Sequence, residues 1–174
     1  MTNRHTIIVI ASIIVIVATL GYSSLNLIYV KDLQFRWHQQ GSFDLLSIMF
    51  NGRLVVCNNS DYPVNFQKYS IQIFFDGQDL GTFMAQGAGV MPHNTATILG
   101  NFETSDKRVS QMLFSSLNTA LNNNAAAARI DPSKMQVSTT LETKIIGIIP
   151  FSITTQHTGA EFLGMMNQKT SCDN

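Results

Sequence analysis

Between Thr6 and Val30 the chain runs for 25 residues without a charged side chain, and from Ile7 to Leu20 it is almost wholly aliphatic. As a helix rising ~1.5 Å per residue, this segment is long enough to cross a hydrocarbon layer of ~30 Å. A cleaved signal peptide has a shorter apolar core, of roughly 7 to 15 residues, that ends at a small-x-small site, and Thr19-Leu20-Gly21 resembles such a site. The uncharged run nevertheless continues through Leu25, Leu27, Ile28, Tyr29 and Val30, and Tyr22 and Tyr29 suit a membrane interface. The favoured expectation is therefore an uncleaved single-pass anchor at 6–30, held in a lipid bilayer and preceded by a short tail at 1–5. No cysteine closes the apolar run, which argues against a lipid-modified anchor. Arg4 is opposed by Lys31 and Arg36, so the positive-inside bias nearly balances. The commoner arrangement for an N-terminal anchor then places the C-terminal domain on the extracytoplasmic side of the cell membrane.

What remains, ~140 residues, is the size of one ordinary core. Lys plus Arg and Asp plus Glu number 11 each, and only 13% of residues are charged. That is about half the usual share. With no basic patch to hold a phosphate backbone, nucleic acid is not an expected partner. Cys57 and Cys172 fit neither a metal-binding Cys-x-x-Cys pattern nor a disulfide-dense scaffold. Cys57 reads as a small buried hydrophobe, and pairing with Cys172 is an alternative open to an exported domain.

Beyond Val30 the period is that of strands. Leu33, Phe35 and Trp37 alternate with polar neighbours, and a turn follows at 39–42. Leu46, Ile48, Phe50, Leu54 and Val56 share one face of a long strand, with Asn51-Gly52 as a bulge. At Asn58, Asn59, Ser60, Asp61 and Pro63 the ladder must stop, because short polar side chains bond their own backbone and proline removes a donor. Asn58, Asn59, Asp61 and Pro63 are thus structural corner residues, and Asn58-Asn59-Ser60 is also an N-glycosylation acceptor pattern at Asn58. Tyr69, Ile71, Ile73 and Phe75 supply the next inward face, Asp76-Gly77 a two-residue hairpin, and Leu80, Thr82 and Met84 the return strand. Gly87-Ala88-Gly89 bends the backbone, and after a turn at 92–95 Ala96, Ile98 and Phe102 form another face.

The period then changes to that of a helix. Val109, Met112, Leu113, Leu117 and Leu121 follow an N-cap at Thr104 or Ser105 and make one amphipathic helix, expected to pack on its own sheet. The low-complexity stretch 122–128 is expected as a frayed end or loop. Met135, Val137 and Leu141, then Phe151, Ile153 and Thr155, supply the last two strands. Between them Ile145, Ile146, Ile148 and Ile149 make an apolar hairpin tip where loops are ordinarily polar. These isoleucines either cap the core, the preferred account, or contact membrane or a partner. The tail 159–174 shows little strand period, and Ser171–Asn174 is expected to be disordered.

The fold class is therefore mainly β: an antiparallel β-sandwich of about seven strands with one amphipathic helix, spanning 31–158 behind a single transmembrane helix. The strand ending in Asn58-Asn59-Ser60-Asp61-Tyr62-Pro63-Val64, the Gly77 to Gly81 hairpin, the Met91-Pro92-His93-Asn94-Thr95 turn, the helix and the closing Ile149-Pro150-Phe151-Ser152 carry a resemblance. In these features the chain resembles the LEA14-like, or WHy, domain family of water-stress and hypersensitive-response proteins. The family's corner usually carries Asn-Pro, whereas here Ser60 follows Asn59 and the proline comes at Pro63. The resemblance implies a β-sandwich, often membrane-tethered and linked to stress protection, with no catalytic residues to carry over.

His5, His38, His93 and His157 lack metal-ligand spacing, and no nucleophile elbow, phosphate loop or dinucleotide fingerprint occurs. No catalytic residue, cofactor or metal is expected. The expected function is a membrane-anchored, non-enzymatic binding or stress-protective module whose partners are the bilayer and other membrane or envelope proteins. The alternative is an accessory subunit of a multiprotein membrane complex.

Overall fold

The computed structural model describes residues 4–43, 47–49, 52–104, 111 and 131–173. Arg4–Val30 forms one unbroken helix, α1, long and apolar enough to cross a membrane. Among the described residues nine strands follow: β1 (Gln34–Trp37), β2 (Gly52–Asn58), β3 (Val64–Asn65), β4 (Lys68–Phe75), β5 (Gln78–Gln86), β6 (Gly89–Val90), β7 (Asn94–Glu103), β8 (Met135–Ile145) and β9 (Ile149–Thr158). Another helix, α2 (Gly159–Asn167), follows β9 directly. The expected helix over Val109–Leu121 and the stretch 122–128 lie, Gln111 apart, outside the described residues.

Seven strands form one antiparallel sheet in the order β1-β2-β7-β5-β4-β8-β9, and β3 pairs with β6 as a short separate ladder. The mainly β, antiparallel architecture and the seven strands are as expected, and the layers are the arms of a single curled sheet. β1 and β4 stand four strands apart, ~19 Å if the sheet were flat. Yet the Phe35 ring stacks on Tyr69 with centroids 3.9 Å apart. The sheet must therefore roll over its own apolar face, on which Leu54, Ile71, Phe83, Met135 and Val137 are fully buried. Burial also pushes the Tyr69 phenol above the ordinary tyrosine range.

The Asp76-Gly77 hairpin has φ of 49° and 78°, the paired positive values of a type I′ turn. Gly87 is required for a different reason: a Cβ there would lie 2.0 Å from the Phe66 carbonyl oxygen. Three expectations are corrected. The long strand expected from Leu46 through Val56 begins only at Gly52, after a 3₁₀ turn at Ser47–Met49, with 44–46 and 50–51 outside the described residues. The isoleucine tip does not cap the core: Ile146, Ile148 and Ile149 are 38%, 78% and 55% exposed.

The third correction concerns the tail, which is ordered through Asp173. Thr158 and Glu161 make a reciprocal capping box, and one turn on Phe162 and Met166 are fully buried against the sheet. Cys172 then bonds Cys57, across a sequence separation of 115. Gln34 accepts from the Ser171 amide at 2.8 Å, and Asp173 receives two bonds from Arg36, at 2.8 and 2.5 Å. Gln34, Arg36 and Cys57 point away from the core, so the tail covers the outer face of β1 and β2. This explains why Val55 and Cys57 are buried although they oppose the inward-facing Leu54 and Val56.

The Arg36 guanidinium beside Asp173, helped by the Thr170 amide and hydroxyl, lowers that carboxyl to about 2. Its folded value lies below its unfolded value of ~3.9, so the stabilisation is complete above pH ~4 and is lost as pH falls through about 2. We expect the acid limb of a pH–stability curve between those values to flatten in an Asp173→Asn variant, read by denaturant midpoints.

Candidate functional site

The described residues with the most unusual company sit where α1 meets the sheet. Ser23, Asn26 and Val30 lie on one stripe of α1 and are buried, whereas Ile7 to Val17 are more than half exposed at every large aliphatic position. The buried serine and asparagine are the polar stripe that meets the domain, and the exposed aliphatic remainder is apolar enough to enter a membrane. The helix thus has two parts.

Asn26 does in the junction what a neighbouring strand would do. Its Oδ1 accepts from the Asn65 amide at 2.7 Å, and its Nδ2 donates to the Asn65 carbonyl at 3.0 Å and to Thr143 Oγ1 at 3.1 Å. Thr143 in turn donates to the same Asn65 carbonyl at 2.9 Å. One turn nearer the N-terminus, the Ile146 amide donates to Ser23 Oγ at 2.9 Å. On the other side Tyr29 stacks on Tyr62 of the corner, centroids 5.1 Å apart. Three separate segments are therefore fastened to the last third of α1. An open cleft of about 590 Å³ lies between them, lined by Ala18, Tyr22, Asn26, Phe66, Lys144 and Ile146 among others.

Asn26→Ala removes the side-chain partner of the Asn65 amide and one of the two side-chain donors to its carbonyl, and should cost about 2 kcal/mol. Thermal unfolding in detergent and faster hydrogen exchange at the Asn65 amide are the checks. Unchanged exchange there would show that the pairing contributes nothing.

The corner is also built as a structural unit. Asn58 is 1% exposed; its Nδ2 donates to the Tyr62 and Val90 carbonyls at 2.8 and 3.0 Å, and its Oδ1 accepts from the Ser60 amide at 3.1 Å. A glycan would have to occupy that same nitrogen, so the folded corner does not present the acceptor that the sequence pattern offered. Asn59 and Pro63 are exposed, and Asp61 meets His93 Nε2 at 2.8 Å. At the far end of the sheet a second cleft, of about 230 Å³, holds His157 and Glu161. Glu161 is committed to the cap of α2 through the Thr158 amide, which holds its carboxyl below the usual carboxylate range, and His157 Nε2 lies 3.2 Å from Thr139 Oγ1. Among the described residues no three of His, Cys, Asp and Glu gather as a metal site.

Sequence reasoning singled out Ile145, Ile146, Ile148 and Ile149, and of these the structure brings Ile146 against α1 at Ser23. It missed Ser23, Asn26, Asn65 and Thr143. The available signal was an asparagine inside an apolar span, where an uncompensated polar group is expensive and demands a partner.

No family model matches the chain, and no curated protein does. One solved structure, "Crystal structure of protein from Archaeoglobus fulgidus", aligns over 72% of this chain and 94% of its own at 10% identity, with a TM-score of 0.28. A likeness that low carries no argument about function. The apolar helix and the Cys57–Cys172 disulfide point independently to an oxidising, extracytoplasmic setting, secreted or membrane-anchored.

Proposed function

We propose that the protein is a single-pass, non-enzymatic β module of the LEA14-like type. It holds a binding or protective surface rigidly against the extracytoplasmic face of a membrane. The observation that supports this most is the division of α1 into an exposed aliphatic part and a part whose polar stripe is bonded to the domain. A segment destined for removal has no use for a face matched to the mature domain. With no flexible linker between helix and sheet, the domain's orientation to the bilayer is set by the helix itself.

Expression of the full chain followed by alkaline extraction and protease treatment of intact cells tests the reading. Retention in the membrane pellet at full length, with the domain cleaved only from outside, is expected. Release into the supernatant as a shortened chain overturns the anchor. Sizing in mild detergent separates the module from an accessory subunit: the module migrates alone, and a subunit migrates with a fixed set of partners.

A further inference from the structure

We propose that the tip of the β8–β9 hairpin, Ile146 to Phe151, is a second membrane-inserting element, immersed in the same leaflet as the C-terminal part of the α1 span. The inference rests on the anchor reading and follows from a length mismatch. A hydrocarbon layer of ~30 Å needs about 20 helical residues, so a layer that begins at Thr6 ends near Leu25. The sheet is bonded to α1 inside that span at Ser23 and just past its end at Asn26.

The direction of the hairpin follows from its bonds. Thr143 meets Asn26 and Ile146 meets Ser23, so the hairpin runs toward the N-terminus of α1 as it approaches its tip. Ala18 and Thr19 line the same cleft as Ile146 and Gly147. The tip therefore reaches a depth at which α1 itself must be in hydrocarbon. Only an apolar tip is tolerable there, and the exposed side chains are Ile146, Ile148, Ile149 and Phe151. Backbone groups at that depth must also be paired within the protein. The Ile146 amide is paired by Ser23, and the Ile148 amide donates to the Ile145 carbonyl at 3.1 Å. Lys144 stands farther from the tip than Ile146, where its ammonium can reach the headgroups.

The backbone supplies a second, independent mark. Ile146 has φ of 54°, a left-handed conformation that a β-branched residue adopts only under strain. Glycine or asparagine at this position would relieve the strain, whereas isoleucine keeps an apolar side chain at the tip. Such strain retained at a surface position is expected where the side chain has work to do.

Tryptophan placed at single positions of the full chain, reconstituted in phosphatidylcholine vesicles with acyl chains brominated at defined carbons, reads depth directly. Trp37, buried in the core, gives a constant background that the parent chain measures. We expect Ile148→Trp and Ile149→Trp to emit to the blue of their values in detergent-free buffer controls of exposed tryptophan, and to be quenched by bromines near the headgroup end of the chain. Gln78→Trp, on the opposite hairpin, should not be quenched, and Val15→Trp should be quenched by bromines near the bilayer centre. If Val15→Trp is quenched and neither tip variant is, the anchor stands and this proposal is overturned. Without quenching at Val15→Trp, the anchor reading itself fails. Blue-shifted tip emission without quenching shows the tip covered by protein, and also overturns the proposal. Cys57–Cys172 oxidation on a non-reducing gel confirms that each variant is folded.

Discussion

Removing the bond between Cys57 and Cys172, by Cys57→Ala with Cys172→Ser, is expected to lower the unfolding free energy by about 3–5 kcal/mol. The bridge closes a loop spanning 115 positions, so its loss releases much of the chain in the unfolded ensemble. The folded state suffers too, because the bonds of Ser171 and Asp173 to Gln34 and Arg36 depend on a tail that Cys172 holds in place. Set against a typical domain stability of ~5–15 kcal/mol, the change is large. Denaturant midpoints of oxidised parent, reduced parent and the double variant make the comparison. The reduced parent and the variant should coincide, well below the oxidised chain; equal midpoints for all three would mean that the tail is held by packing of Phe162 and Met166 alone.

Asn58→Ala is expected to cost about 3 kcal/mol, since it strands the Val90 carbonyl beneath the corner and removes the Asn58 bonds to the Tyr62 carbonyl and the Ser60 amide. Asn58→Asp distinguishes this hydrogen-bond account from simple loss of packing. The carboxylate keeps the shape and can still accept from Ser60, but it turns an acceptor toward two carbonyls. Protonation restores one donor, so the folded state raises the carboxyl pKa above its unfolded value. The deficit of Asn58→Asp should therefore shrink as pH falls below the unfolded value of ~3.9 and grow as pH rises through the folded one. A deficit independent of pH would remove the carbonyls from the explanation. Thermal melts from pH 3 to 8 supply the measurement.

What could be read from the residues was local in origin. Period-two alternation marks a strand whatever its neighbour, so β1, β4, β8 and β9 were legible, as were the Asp76-Gly77 turn and the Asn58 corner. The corner's function as a turn-maker needed only that asparagine reaches its own backbone. Its glycosylation pattern carries no information on burial, and the fold buries Asn58. The α2 helix was missed although Thr158-x-x-Glu161 before Phe162, Leu163 and Met166 is a capping signal, because the segment is short and follows a strand without a break.

Hydropathy and period are properties of neighbouring residues, so an apolar helix of spanning length ahead of a mainly β domain is legible in the residues alone. Tertiary structure alone decided strand order, the Cys57–Cys172 pairing, the latch of the tail on β1, and the outward face of the isoleucine tip. Each depends on contacts between residues tens of positions apart, and the closing of such loops leaves no mark on local sequence. Asn26 shows the division most clearly: its place in an apolar helix demanded a partner, and only the curled sheet supplied Asn65.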